Sequence, residues 1–105
     1  MVRMPSIAQL EKLLQADPQD PFVLYGLAQE HAKRGDTAQA VLFYDRCLAA
    51  DPMYLYAYYH KARALQQAGR TEEALATVKA GGHFATRAQD AHAARELSTL
   101  QDELA

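Results

Sequence analysis

Cysteine is nearly absent from this chain of 105 residues, and so is any excess of basic charge. The single Cys47 cannot form an internal disulfide, so nothing in the sequence calls for an oxidising compartment. The formal net charge of -2 lacks the cationic surplus with which proteins neutralise phosphate, so a nucleic-acid partner is not expected. No apolar run approaches the roughly 20 residues of a membrane span. Arg3, Glu11 and Lys12 interrupt the first 16 residues, so no signal peptide is expected in them, and the cytoplasm is the expected location. No phosphate-cradling loop is present, because Gly81-Gly82 lacks the Gly-Lys-Ser/Thr that would follow. The four histidines, His31, His60, His83 and His92, include no HExxH pair, so no metal or other cofactor is expected.

What remains is an ordinary folded composition, 50% hydrophobic and 23% charged. One domain of this size buries roughly 65% of its unfolded surface. The informative signal is self-similarity. Asp17-Pro18 returns as Asp51-Pro52, 34 residues later. At the same offset Ala28 pairs with Ala62, Gly35 with Gly69, Thr37 with Thr71 and Ala40 with Ala74; Phe22 pairs with Tyr56 and Tyr25 with Tyr59. A further half copy lies at the start, where Ile7, Val41 and Leu75 align, as do Leu10, Tyr44 and Val78.

Each repeated position has a physical role. A residue before proline is pushed out of the helical region, so Asp-Pro ends a helix. Gly35 and Gly69 can adopt the left-handed conformation that closes one. Asp36 or Thr37, and Thr71, can cap the helix that follows, with Glu72 and Glu73 favourable in its first turn. Ser6 with Gln9, and Thr86 with Gln89, read as capping boxes. The small Ala28, Ala40, Ala62 and Ala74 let antiparallel helices approach closely. These signals place helices near 6–16, 20–34, 37–50, 54–68, 71–80 and 86–103, with a break at Gly81-Gly82. No segment alternates as a strand would.

A 34-residue helix–turn–helix period resembles the tetratricopeptide repeat. Residues 21–54 carry the pattern in Leu24, Leu27, Ala28, Gly35, Ala40, Tyr44, Leu48 and Pro52. The next copy keeps Tyr58, Ala62, Gly69, Ala74 and Val78 and then decays, with Gly81 where the first has Cys47. His31 stands where the family usually has an aromatic and Lys61 where it usually has leucine. The resemblance covers residues 6–80. It implies an all-α fold, a right-handed superhelical stack of antiparallel helix hairpins with about six helices. The expected organisation is one domain over 1–105: a half repeat at 6–18, repeats at 21–54 and 55–82, and a capping helix at 86–103. Phe84, Ala88, Ala91, Leu97, Leu100 and Leu104 form a stripe suited to covering the open end of the core.

Catalysis is not expected. Cys47 lies on the apolar face of its helix, and Asp17/Asp20 and Glu72/Glu73 sit at helix starts, where capping and dipole compensation explain them. The resemblance implies instead that the first helix of each repeat lines a concave groove for a peptide or protein partner. On one such helix Phe22, Tyr25, Gly26, Gln29 and Lys33 project together; on the next Tyr56, Tyr59, His60, Arg63 and Gln67 do. Aromatics stand at one end and polar or basic groups at the other, and Tyr and Arg are favoured binding anchors. Tyr58 aligns with Leu24 and is expected in the core. The chaperone-binding members of the family hold a C-terminal carboxylate with lysines, asparagines and an arginine; of the corresponding residues here only Arg63 suits that role, so a chaperone tail is not expected. The alternatives to a peptide-binding module are self-association as a homodimer and a regulatory scaffold segment within a larger protein.

Overall fold

The computed structural model describes residues 5–105. Six helices follow one another: α1 (Ile7–Ala16), α2 (Pro21–Lys33), α3 (Thr37–Ala50), α4 (Leu55–Gln67), α5 (Thr71–Arg87) and α6 (Ala91–Leu104). No strand occurs among the described residues. Their starts are set by side chains that satisfy the free N–H groups of the first turn. Ser6 and Gln9 form a reciprocal capping box, Asp20 accepts from the Phe22 and Val23 amides, and Asp36 accepts from Gln39 N at 3.2 Å. Thr71 does not cap α5; it is the first helical residue, and Arg70 precedes it without a side-chain cap bond.

Gly35 and Gly69 close α2 and α4 with φ of +76° and +77°. In each turn the next amide reaches back to the final helical turn: Asp36 N to His31 O at 3.0 Å, Arg70 N to Leu65 O at 2.8 Å. The same turn occurs a third time, where Asp90 N reaches Ala85 O at 3.0 Å and Gln89 takes φ +57°.

That third turn corrects the expected break at Gly81-Gly82. Helix α5 runs through both glycines to Arg87, so the boundary expected at residue 82 lies inside a helix. Thr86 does not cap α6; its hydroxyl donates to Gly82 O, and Asp90 caps α6 by accepting from Ala93 N at 3.0 Å. The helix continues because Gly81 is a packing position. A Cβ there would lie 2.6 Å from Tyr58 Cβ and 3.2 Å from Leu97 Cδ1. Only a residue without a side chain lets α5 sit this close to α4 and α6.

The core is layered along the stack. Leu10, Val23 and Leu27 join α1 to α2. Leu24, Ala28, Ala40, Tyr44, Cys47 and Ala57 join α2, α3 and α4. Tyr58, Ala62, Leu65, Ala74, Val78, Leu97 and Leu100 join α4, α5 and α6. Ala28, Ala40, Ala62 and Ala74 are fully buried at helix crossings, and so is Cys47. Tyr58 is in the core as expected, its hydroxyl donating to Pro52 O at 2.8 Å. The terminal stripe is only partly as expected. Leu97, Leu100 and Leu104 are buried with Ala93, whereas Ala88 and Ala91 are exposed and Phe84 lies on α5, stacked on Tyr58. His31 fills its aromatic position by stacking on Phe43 at 5.5 Å, and Lys61 pairs with Asp45 at 2.6 Å.

Candidate peptide-binding groove

Helix α4 touches both α2 and α6, so the three form one wall of the stack. Helix α4 starts 34 residues after α2, and α6 starts 36 residues after α4, because α5 is longer than α3 and the following turn shorter. In that register Tyr25, Tyr59 and Arg95 are equivalent, as are Gln29, Arg63 and Thr99, and Lys33, Gln67 and Glu103.

The aromatic end is built around Tyr25. Its ring lies 5.0 Å from Tyr54, 6.2 Å from Tyr44 and 5.9 Å from His60, the last two edge-on. Burial, with Tyr54 next in effect, pushes its hydroxyl up to about 12. Tyr25 is therefore partly a packing residue. Phe22 and Tyr56, at the first turns of α2 and α4, are different: they are 70% and 48% exposed. Gly26 does not face the same side, since a Cβ there would meet Leu10 of α1 at 3.3 Å.

The polar end is organised by hydrogen bonds. Gln29 accepts from the buried Tyr44 hydroxyl, which burial keeps far above its ordinary range. Lys33 pairs with Glu30 at 3.2 Å. His60 is flanked edge-on by Tyr25 and by Tyr59 at 5.2 Å. Burial lowers its pKa, Glu96 works against that, and Arg63 adds to it. Arg63 lies over the Tyr59 ring with its guanidinium carbon 5.4 Å from the centroid. Its Nε and Nη2 donate to the Tyr59 hydroxyl at 3.2 and 3.0 Å; Nη1 donates to Gln66 at 3.0 Å and to Glu103 at 2.8 Å. The Tyr59 hydroxyl, followed by Glu103, raises the arginine pKa.

Gln29, Lys33, His60, Arg63 and Gln67 line one hollow of about 360 Å³ together with Tyr44. Arg63 and Tyr59 also line a neighbouring hollow of about 380 Å³, whose far side is Arg95, Glu96 and Thr99 of α6. The sequence reading treated α6 as a cap and so left out this wall, and it counted Tyr44 only as a repeat position. The signal was present in the α6 register, but hidden by the two-residue change in spacing. A third hollow, of about 280 Å³, lies at the Asp17-Pro18 turn, where Arg46 is braced on Pro18 O at 3.3 Å and over the Phe43 ring. Among the described residues no cluster of His, Cys, Asp and Glu could hold a metal ion, and no helix is long and apolar enough to cross a membrane.

The architecture is that of stacked helix hairpins. The family model for the tetratricopeptide repeat matches residues 31–97, and the chain belongs to that family. It is similar to the tetratricopeptide repeat domain protein of Salinibacter ruber, at 31% identity and a TM-score of 0.77, over 84% of this chain and 89% of that one. The TPR2B domain of yeast Sti1, in complex with pHsp70, shares the fold with a TM-score of 0.87 at 21% identity, over 93% of this chain and 78% of that one. A U-box domain-containing protein from Oryza sativa subsp. japonica is 35% identical over 68 residues; these are 65% of this chain but only 8% of that protein's length.

Proposed function

We propose that this chain is a non-catalytic protein-interaction module that holds a peptide or protein segment across α2 and α4. The observation that carries the reading is the exposed aromatic pair Phe22 and Tyr56, set beside Tyr25 and the polar hollow ending at Arg63. Fully burying a phenylalanine side chain is worth about 1.5–3 kcal/mol, and Phe22 has most of that still to gain. An apolar residue of the segment rests on Phe22 and Tyr56, with Tyr25 and Tyr59 behind them. Its polar groups meet Gln29, Lys33, His60, Arg63 and Gln67. Solved relatives of the same fold are complexes with protein segments: Sti1 with pHsp70, and PcrH with the chaperone binding region of PopD.

Tyr25 is too deeply packed to serve as the first probe, so the test uses the exposed pair. The double variant Phe22→Ala/Tyr56→Ala is expected to keep its helical circular dichroism and melting temperature while losing the proteins captured by the native chain from cell extract. Capture of the same proteins by the double variant would sink the groove reading.

A further inference from the structure

We infer that the bound segment carries a basic side chain beside its apolar residue, and that this cation lies at the aromatic end of the groove, against the Phe22 and Tyr56 rings and the carboxylates of Asp20 and Asp51. That a segment is bound at all rests on the function proposed above.

The chain already shows what its half-open rings attract. Arg46 lies over Phe43 with its guanidinium carbon 5.3 Å from the centroid, and Arg63 lies over Tyr59 at 5.4 Å. A cation over a ring face is drawn by the ring quadrupole. Phe22 and Tyr56 are more open than Phe43 and Tyr59. Among the described residues no arginine or lysine lies over either of them. Arg46 is engaged by Pro18 O, and Arg63 by Tyr59, Gln66 and Glu103.

Charge at this end selects the sign of the partner. Asp20 caps α2, and Tyr54, which precedes α4, donates its amide to Asp51 O at 3.1 Å. The Tyr25–Tyr54 contact at 5.0 Å brings the two helix starts together. Each carboxylate uses one oxygen locally. Asp20 Oδ1 accepts from Phe22 N at 3.0 Å and Val23 N at 3.4 Å; Asp51 Oδ1 accepts from Met53 N at 3.0 Å. Neither forms an ion pair among the described residues. Burial, then Cys47, raises the Tyr54 hydroxyl, and Asp20 and Asp51 both add to the rise, so the two carboxylates act on one ring. The starts of α2 and α4 carry roughly half a positive charge each, against two full negative charges. The end is negative on balance. A lysine or arginine of the segment meets both features, its apolar stem on the rings and its head toward the carboxylates.

The probes are N-acetylarginine amide and its neutral counterpart N-acetylnorleucine amide, each titrated into the full chain with the ring resonances of Phe22, Tyr54 and Tyr56 as readout. The arginine probe is expected to shift these rings at several-fold lower concentration than the norleucine probe, and added sodium chloride should weaken the arginine probe alone. Asp20→Asn/Asp51→Asn keeps the local acceptors, since asparagine caps as well as aspartate. It should weaken the arginine probe by roughly 2- to 10-fold, the worth of two exposed ion pairs, with helical circular dichroism unchanged. Equal responses to the two probes, or an arginine titration unaltered in Asp20→Asn/Asp51→Asn, overturn the inference. Equal probe responses together with loss of captured proteins in Phe22→Ala/Tyr56→Ala would leave the groove reading standing with an apolar residue alone at this end, so the two failures appear in different measurements.

Discussion

Two adjacent glycines in one helix should respond to the same substitution with opposite signs. Gly81 and Gly82 both lie inside α5, where replacing glycine by alanine ordinarily gains about 1 kcal/mol of helix propensity. At Gly82 nothing lies within 4 Å of the added carbon, so Gly82→Ala should realise that gain in full. At Gly81 the carbon would meet Tyr58 Cβ at 2.6 Å, Tyr58 Cγ at 2.9 Å and Leu97 Cδ1 at 3.2 Å. The nearest of these is attached to the α4 backbone, so it cannot swing aside, and α4 and α5 must separate. Overpacking of this kind costs about 1–3 kcal/mol, more where backbone must shift. Because the clashing atom is tied to backbone, the cost should lie in the upper part of that range, about 2–3 kcal/mol, so after the propensity gain Gly81→Ala should lose about 1–2 kcal/mol.

For a domain of about 100 residues 1 kcal/mol corresponds to about 4–8 °C in melting temperature. Thermal and urea unfolding followed by circular dichroism should thus place Gly82→Ala above the native protein and Gly81→Ala clearly below it. The double variant should fall near the sum, because the two carbons point to different surroundings. Equal stabilisation of the two single variants would refute the packing account of Gly81 and with it the reason given for the continuity of α5.

Gln89→Gly should stabilise by up to about 1 kcal/mol in urea unfolding, since it relieves a left-handed residue in the turn where Gly35 and Gly69 stand elsewhere. Asp90→Ala and Asp36→Ala should each cost about 1 kcal/mol by the same assay, through loss of the caps of α6 and α3. Tyr25 ionises at about 12 folded and 10 when unfolded, so the stability it contributes is complete below pH 10 and is lost as pH rises toward 12; tyrosinate absorbance should lag behind that of free tyrosine until the chain unfolds. His60, held low by burial, acts on the acid side: stability falls as pH drops below 6.5, where the unfolded histidine gains a proton first, and His60→Gln should flatten that slope in urea unfolding measured from pH 7 to 5.

The fold was legible wherever one residue type carries the conformation alone. Gly35 and Gly69 take positive φ because the turn demands it, and Ala28, Ala40, Ala62 and Ala74 are small because helices cross there. The reading failed where residue type and role part company. Gly81-Gly82 looks like a break, yet Gly81 answers to Tyr58 and Leu97, residues 23 positions before it and 16 after it, which no local pattern contains. Gln89 looks like an ordinary helical residue, yet it makes the third left-handed turn, its strain outweighed by packing on either side.

Correcting these two readings changes the place of α6 in two ways. Once the turn is moved from residue 82 to residue 89, α6 ceases to be a loose cover and takes the place of a first helix in a third hairpin, two residues out of step. Its Ala94, Ser98 and Gln101 then stand where Tyr58, Ala62 and Leu65 of α4 face their own second helix. Ser98 is exposed, and Ala94 and Gln101 are half-buried, so the residues on that face are small or polar and are suited to water. The other consequence lies on the groove side. The same register puts Arg95, Thr99 and Glu103 in line with Tyr59, Arg63 and Gln67. One helix thus closes the core on one face and supplies the third wall of the candidate groove on another.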